Sequence, residues 1–158
     1  MLKKDIRELI ITPSLKAIGL HSEAADNLVY GTGLCETNYD YLKQIRGSAV
    51  SVFQLEDYTY KSLRIWLSNR MNKFLSDRVL AACYRDFIPL DGKVLMWDLR
   101  YAAIMCRLYY WRIPSPLPDA IDAEALTNYY LKYYAPTSKA TFEHCIDAFT
   151  KSINRDYS

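Results

Sequence analysis

At 158 residues, with 51% hydrophobic and 24% charged side chains, the sequence describes one soluble globular domain long enough to bury a real core. A formal net charge of +2 argues against nucleic acid as the main partner. No stretch reaches roughly eighteen uncharged apolar residues, so no membrane span is expected.

The opening segment MLKKDIRELIIT carries basic residues and a short apolar run. Asp5, Arg7 and Glu8 interrupt it, and Leu9-Ile10-Ile11 is too short for the core of a signal peptide, so no signal peptide is expected. It reads as a short amphipathic helix stopping before Pro13. The next helix starts at Ser22, an N-cap, with Glu23 and Asp26 where the helix dipole favours negative charge. Ala25, Leu28, Thr32 and Cys35 recur at helical spacing and give it one buried face. Glu36 falls in the last turn, on the side carrying Val29 and Gly33, and so points into a groove floored by small residues. A carboxyl there is partly desolvated, which raises its pKa and keeps it protonated near neutral pH, as a general acid requires. The plainer alternative is a surface Glu that ends a helix.

Gly47-Ser48-Ala49-Val50-Ser51-Val52-Phe53-Gln54-Leu55 shows no helical period and reads as one arm of a small hairpin or an extended loop. Helical pattern resumes with Asp57 or Thr59 as cap and Leu63, Trp66, Leu67 and Arg70 on one face. The stretch 31–60 therefore sets Glu36 beside Gln54-Leu55-Glu56, the layout of an active-site cleft. Further helices are expected over 71–84, over Val94–Trp111 as the spine of the domain, and at Ala123–Tyr133 and Lys139–Ile153. Pro114, Pro116 and Pro118 force an extended linker between the Val94–Trp111 helix and the one from Ala123. Cys35, Cys83, Cys106 and Cys145 sit among apolar neighbours as buried free thiols. His21 and His144 stand alone, so neither a metal nor any other cofactor is expected, and no Gly-x-Ser-x-Gly turn marks a serine nucleophile. Of fourteen tyrosines, Tyr39, Tyr41, Tyr58, Tyr60, Tyr133 and Tyr134 fall near the proposed cleft, where aromatic faces suit sugar rings. Tyr129-Tyr130 lie in a helix and need only packing to explain them.

Glu36-Thr37, then Gly47-x-Ala49-x-Ser51-Val52-Phe53-Gln54-Leu55 and Thr59, resembles the Glu-Ser … Gly-x-x-Gly-Leu-Met/Phe-Gln-Ile/Met … Thr pattern of the lysozyme-like superfamily. Its members include soluble lytic transglycosylases, goose-type lysozymes and many bacteriophage cell-wall enzymes. Leu117-Pro118-Asp119-Ala120-Ile121-Asp122, Tyr133-Tyr134-Ala135-Pro136-Thr137 and Ala140-Thr141-Phe142-Glu143 resemble the ending of a phage-encoded group, in which a helix stops at a cleft-lining Tyr-Asn motif. The likeness runs from about Thr12 to Phe149. It implies a mainly α, lysozyme-like α+β single domain with a small β hairpin or extended segment beside the cleft. The implied activity is cleavage of the β-1,4 bond between N-acetylmuramic acid and N-acetylglucosamine in peptidoglycan. Implied partners are peptidoglycan glycan strands and other phage virion proteins. The implied location is a phage virion or the host cytoplasm, with action in the periplasm or cell wall.

The resemblance makes Glu36 the catalytic acid and base. Glu56, two residues after Gln54, stands where goose-type lysozymes hold a water, and in that role would make the protein an inverting muramidase. Acting alone, Glu36 would protonate the leaving oxygen and then take the proton of the substrate's own 6-hydroxyl, closing a 1,6-anhydro ring as lytic transglycosylases do. Glu56 also fits a plain helix-start acid on the dipole. Ala49 occupies the position of the second carboxylate in animal C-type lysozymes. The implied substrate-binding residues are Gln54, Thr37, Phe53, Tyr39, Tyr133 and Tyr134. The Gln54 amide, flanked by apolar residues, bonds either a sugar N-acetyl group or backbone near Glu36. Thr37 replaces the usual Ser, Ser51 the usual Gly, and Tyr134 the usual Asn. A function of a different class fits the same residues: a non-catalytic virion structural protein that retains the scaffold, which predicts a large exposed apolar patch away from the cleft.

Overall fold

A computed structural model describes residues 2–44, 46–136 and 140–158. Lys3–Asp5 (α1), a π-helical segment at Ile6–Ile11 and Thr12–Ala17 (α2) run end to end. Contrary to the expectation from sequence, Pro13 does not stop this helix. The Thr12 N–H bonds the Arg7 carbonyl five residues back, and the Ser14 hydroxyl takes the Ile10 carbonyl at 2.5 Å. The wider turn opens the ladder where Pro13 has no N–H to give.

The same segment buries Arg7 completely. Its Nε donates to Asp26 Oδ1 at 2.7 Å, its Nη2 to Asn27 Oδ1 at 2.5 Å and its Nη1 to the Ser152 carbonyl at 2.6 Å. Asp26 and Asn27 belong to α3 (Glu23–Thr37), whose start is capped by the Ser22 hydroxyl accepting from the Ala25 N–H at 3.0 Å. Ser152 belongs to α8 (Phe142–Asn154). One guanidinium thus ties three helices, and the Thr12 hydroxyl bonds the second oxygen of Asp26.

Helix α3 is buried on nearly every side. One side packs on α8 and on α7 (Ala123–Tyr133), with Gly31 set closely against the Phe149 ring; a side chain on Gly31 would strike that ring. Its other side meets α6 (Leu99–Trp111), where the Thr32 and Tyr110 hydroxyls bond at 2.7 Å. The α6 helix is shorter than the expected Val94–Trp111 span: Gly92–Met96 is 3₁₀, and Asp98 caps a new start by accepting from the Tyr101 N–H at 2.9 Å. Helices α4 (Asp57–Leu67) and α5 (Lys73–Ala82) complete the order. The expected apolar stripe in and just before α5 packs only in part: Val79 is buried and Leu75 and Ala82 lie against the core, while Met71 and Phe74 are exposed. Helix α8 starts at Phe142, capped by Thr141; the expected start at Lys139 and the motif residue Thr137 lie outside the described residues.

The expected lysozyme-like α+β architecture with a β hairpin is contradicted, because the described residues form helices and loops with no sheet. Between α3 and α4 only two isolated antiparallel bridges form, Lys43 with Val50 and Val50 with Leu55. Ser51 and Gln54 take φ of 73° and 50°, and the Gln54 N–H closes a turn onto the Ser51 carbonyl. A strand needs consecutive extended residues, and two left-handed positions three residues apart end it before it starts.

Arg7→Ala would leave the Asp26 carboxylate buried without its cation, a loss of about 3–5 kcal/mol. Urea denaturation is expected to show that loss in full, whereas the double change Arg7→Met with Asp26→Leu costs clearly less than the sum of the single changes.

Candidate active site

Helix α3 ends where the chain turns through left-handed Asn38 and Tyr39, with φ of 53° and 61°. Glu36 sits in that last turn, half-buried at the wall of a cleft of about 840 Å³. The cleft is lined by the loop before α4 (Tyr41, Gln44, Ser48, Ala49, Gln54, Leu55, Glu56), by Tyr58 and Thr59 of α4, by Tyr109 of α6, and by Tyr134, Ala135 and Pro136 after α7.

The Tyr130 hydroxyl donates to Glu36 Oε1 at 2.7 Å, across 94 residues of sequence. Tyr130 is itself buried, packed on Phe149 and stacked with Tyr134. The Tyr41 hydroxyl reaches the Glu36 carbonyl at 3.0 Å and fixes the helix end. Burial pushes the Glu36 carboxyl up to about 7; the Tyr130 hydrogen bond pulls against that, and the Glu56 carboxylate adds a smaller upward push. Near neutral pH this group can give a proton or take one.

Of the residues expected at the site, Glu36, Glu56, Gln54 and Tyr134 share the cleft. The Ser48 hydroxyl donates to Glu56 Oε2 at 2.7 Å. Gln54 is half-buried and its Nε2 donates to the Ser51 carbonyl at 2.7 Å, so part of the amide holds backbone. The Tyr134 hydroxyl donates to the Phe53 carbonyl at 2.6 Å, and its ring stacks on Tyr110 and Tyr130. It joins the end of α7 to the loop as well as lining the cleft.

Thr37, Phe53, Tyr39 and Tyr133 are not on the cleft wall. Thr37 is buried and its hydroxyl donates to the Val52 carbonyl at 2.8 Å, clamping the loop to α3. Phe53 is 1% exposed. The Tyr39 hydroxyl donates to the Tyr30 carbonyl at 2.9 Å while its ring stacks on Tyr30 and covers Gly33, where a β-carbon would clash. Tyr133 pairs with Tyr129 on the side of α7 where the Lys132 ammonium lies over its ring. Thr37, Phe53 and Tyr39 build the site from behind rather than meeting a ligand, and Tyr133 lies half-buried off the cleft. Ser51, where the resembled pattern has Gly, is fully buried in the left-handed region that glycine favours.

Tyr130, which from sequence needs only packing to explain it, is the partner of Glu36. The available signal was its position four residues before Tyr134, on the same helix face. Among the described residues no group of three or more His, Cys, Asp or Glu is placed to hold a metal ion, and no helix is long and apolar enough to cross a membrane.

No protein-family model, curated protein or solved structure matches this chain.

The raised Glu36 value has a stability consequence. Below pH 4.5, its ordinary value, the carboxyl is protonated folded or unfolded and costs nothing. Between 4.5 and about 7 only the folded protein keeps the proton, so stability falls as pH rises, by about 3 kcal/mol in all. Glu36→Gln, which cannot ionise, is expected to melt roughly 10 °C above wild type at alkaline pH and level with it near pH 4 in thermal scans.

Proposed function

We propose that this protein cleaves the glycan strands of peptidoglycan at the β-1,4 bond between N-acetylmuramic acid and N-acetylglucosamine, as a lytic transglycosylase with Glu36 as its acid and base. The observation that carries the reading is a carboxyl held near pH 7 by burial, and bonded to Tyr130, at the wall of a tyrosine-lined cleft large enough for sugar rings. In its protonated form Glu36 gives its proton to the glycosidic oxygen as the bond breaks. As carboxylate it then accepts the proton of the 6-hydroxyl, whose oxygen closes the 1,6-anhydro ring. The Tyr130 hydrogen bond stabilises that carboxylate between the two steps. Tyr41, Tyr58 and Tyr109 offer faces for sugar rings, and the exposed side of Gln54 a polar contact. Glu56 shares the cleft and offers the hydrolytic variant, in which it holds a water. Action on the cell wall, with carriage in a phage particle or release from the host cytoplasm, belongs to the same proposal.

A second reading, a phage virion component that packs against other subunits, is favoured by one observation. Tyr84, Phe87, Leu90 and Trp97 are between 69% and 89% exposed. None of them lines the cleft, so both roles fit in one chain.

Mass spectrometry of the soluble products from purified peptidoglycan tests the activity. Wild type is expected to release muropeptides ending in 1,6-anhydro sugar, with a rate that falls through a midpoint near pH 7 on the alkaline side. Glu36→Gln is expected to lower that rate at least about 100-fold. Reducing ends would replace the transglycosylase by a hydrolase using Glu56, and no product from several wall types would leave the packing role.

A further inference from the structure

We propose that Cys35 and Cys145 form a redox modification site, closing to a disulfide between α3 and α8 when the protein meets a low-molecular-weight disulfide such as oxidised glutathione. All four cysteines are free in the structure, yet only this pair is aligned sulfur to sulfur: the Sγ atoms of Cys35 and Cys145 face each other 2.6 Å apart. The alignment follows from the helix pair. Gly31, one turn before Cys35, sits against the ring of Phe149, one turn after Cys145, so the two helices approach closely and in antiparallel register at both levels. Close approach of backbones is what a disulfide requires. Cys83 and Cys106 lie elsewhere, at the end of α5 and within α6.

Access comes from a cavity that shares no lining residue with the cleft. Cys35 is half-buried and lines a separate cavity of about 230 Å³ with Asn38, His144, Asp147 and Lys151. The chemistry balances. Cys35, as thiolate, attacks one sulfur of the reagent and expels one thiol; Cys145 then loses its proton and attacks Cys35 Sγ, expelling the second thiol. The protein loses two hydrogens and the reagent gains them. Burial holds both thiols above their ordinary values, so the reaction is slow at neutral pH and quickens in alkaline solution. The closed bond would span 110 residues of chain and restrain the unfolded state accordingly. It would also fix the turn of α3 that carries Glu36.

The test uses the whole chain, reduced and then incubated with oxidised glutathione at mildly alkaline pH. The expected result is the loss of two of the four thiols, a single cross-linked proteolytic peptide joining Cys35 to Cys145, and a melting temperature on the order of 10 °C above that of the reduced protein. Cys35→Ser and Cys145→Ser should each abolish the linked peptide. Four thiols still titratable after unfolding, a glutathione adduct that stays on Cys35, a bridge to Cys83 or Cys106, or a cross-linked protein that melts no higher would each overturn the proposal. The readouts are mass and melting, so a failure here is distinct from a failure of the glycan-cleaving reading.

Discussion

A buried guanidinium sets the frame of this molecule. Arg7 is enclosed by Asp26 and Asn27 of α3 and the Ser152 carbonyl of α8, with the Tyr30 ring 4.9 Å from its centre. A charge so deep is tolerable only if it is paired and hydrogen-bonded; each of the three guanidinium nitrogens donates to a different residue, and that fixes three helices against one another. The π turn in the N-terminal helix carries Arg7 and relieves Pro13 in the same few residues. From Asp26, α3 runs on for ten residues, about 15 Å, before delivering Glu36 to the cleft. The position of the carboxyl is therefore set at the far end of its helix.

At the cleft end, a second layer of contacts does the holding. Thr37 and Tyr134 both grip the carbonyls of the loop before α4, at Val52 and Phe53, while Tyr130 holds the carboxyl itself. Tyr130 and Tyr134 stand one turn apart on the α7 side, so a single helix end shapes the cleft and tunes its acid. The balance of the two effects on Glu36 matters. Burial raises the carboxyl and the Tyr130 hydrogen bond pulls the other way; the net result is about 7, where donation and acceptance are both possible.

Much of the helical layout was legible because it rests on local chemistry. The Ser22 cap, the Ala123–Tyr133 helix and the placement of Glu36 in a final helical turn follow from capping and periodicity, and the structure has them. The hairpin was misread because small and β-branched residues from Gly47 to Leu55 fit a strand by composition, while the left-handed backbone at Ser51 and Gln54 that prevents one leaves no mark in composition. The helix through Pro13 was missed for a related reason: a π turn is a tertiary accommodation. In the site, the residues with charged or amide ends, Glu36, Glu56 and Gln54, line one cleft. The resemblance assigns Thr37, Phe53, Tyr39 and Tyr133 to a ligand, but neighbours on a helix or loop point different ways: Thr37, Phe53 and Tyr39 point into the packing behind the wall, and Tyr133 lies off the cleft on its helix.

The central claim is that burial keeps a proton on Glu36 at neutral pH. Its most direct test is a carbon-13 NMR titration of the glutamate side-chain carboxyls, with the Glu36 resonance assigned by its absence in Glu36→Gln. A midpoint near 7 is the expected result. A midpoint near the ordinary 4.5 would mean that water reaches the carboxyl freely, and would remove the physical basis for its acting as an acid.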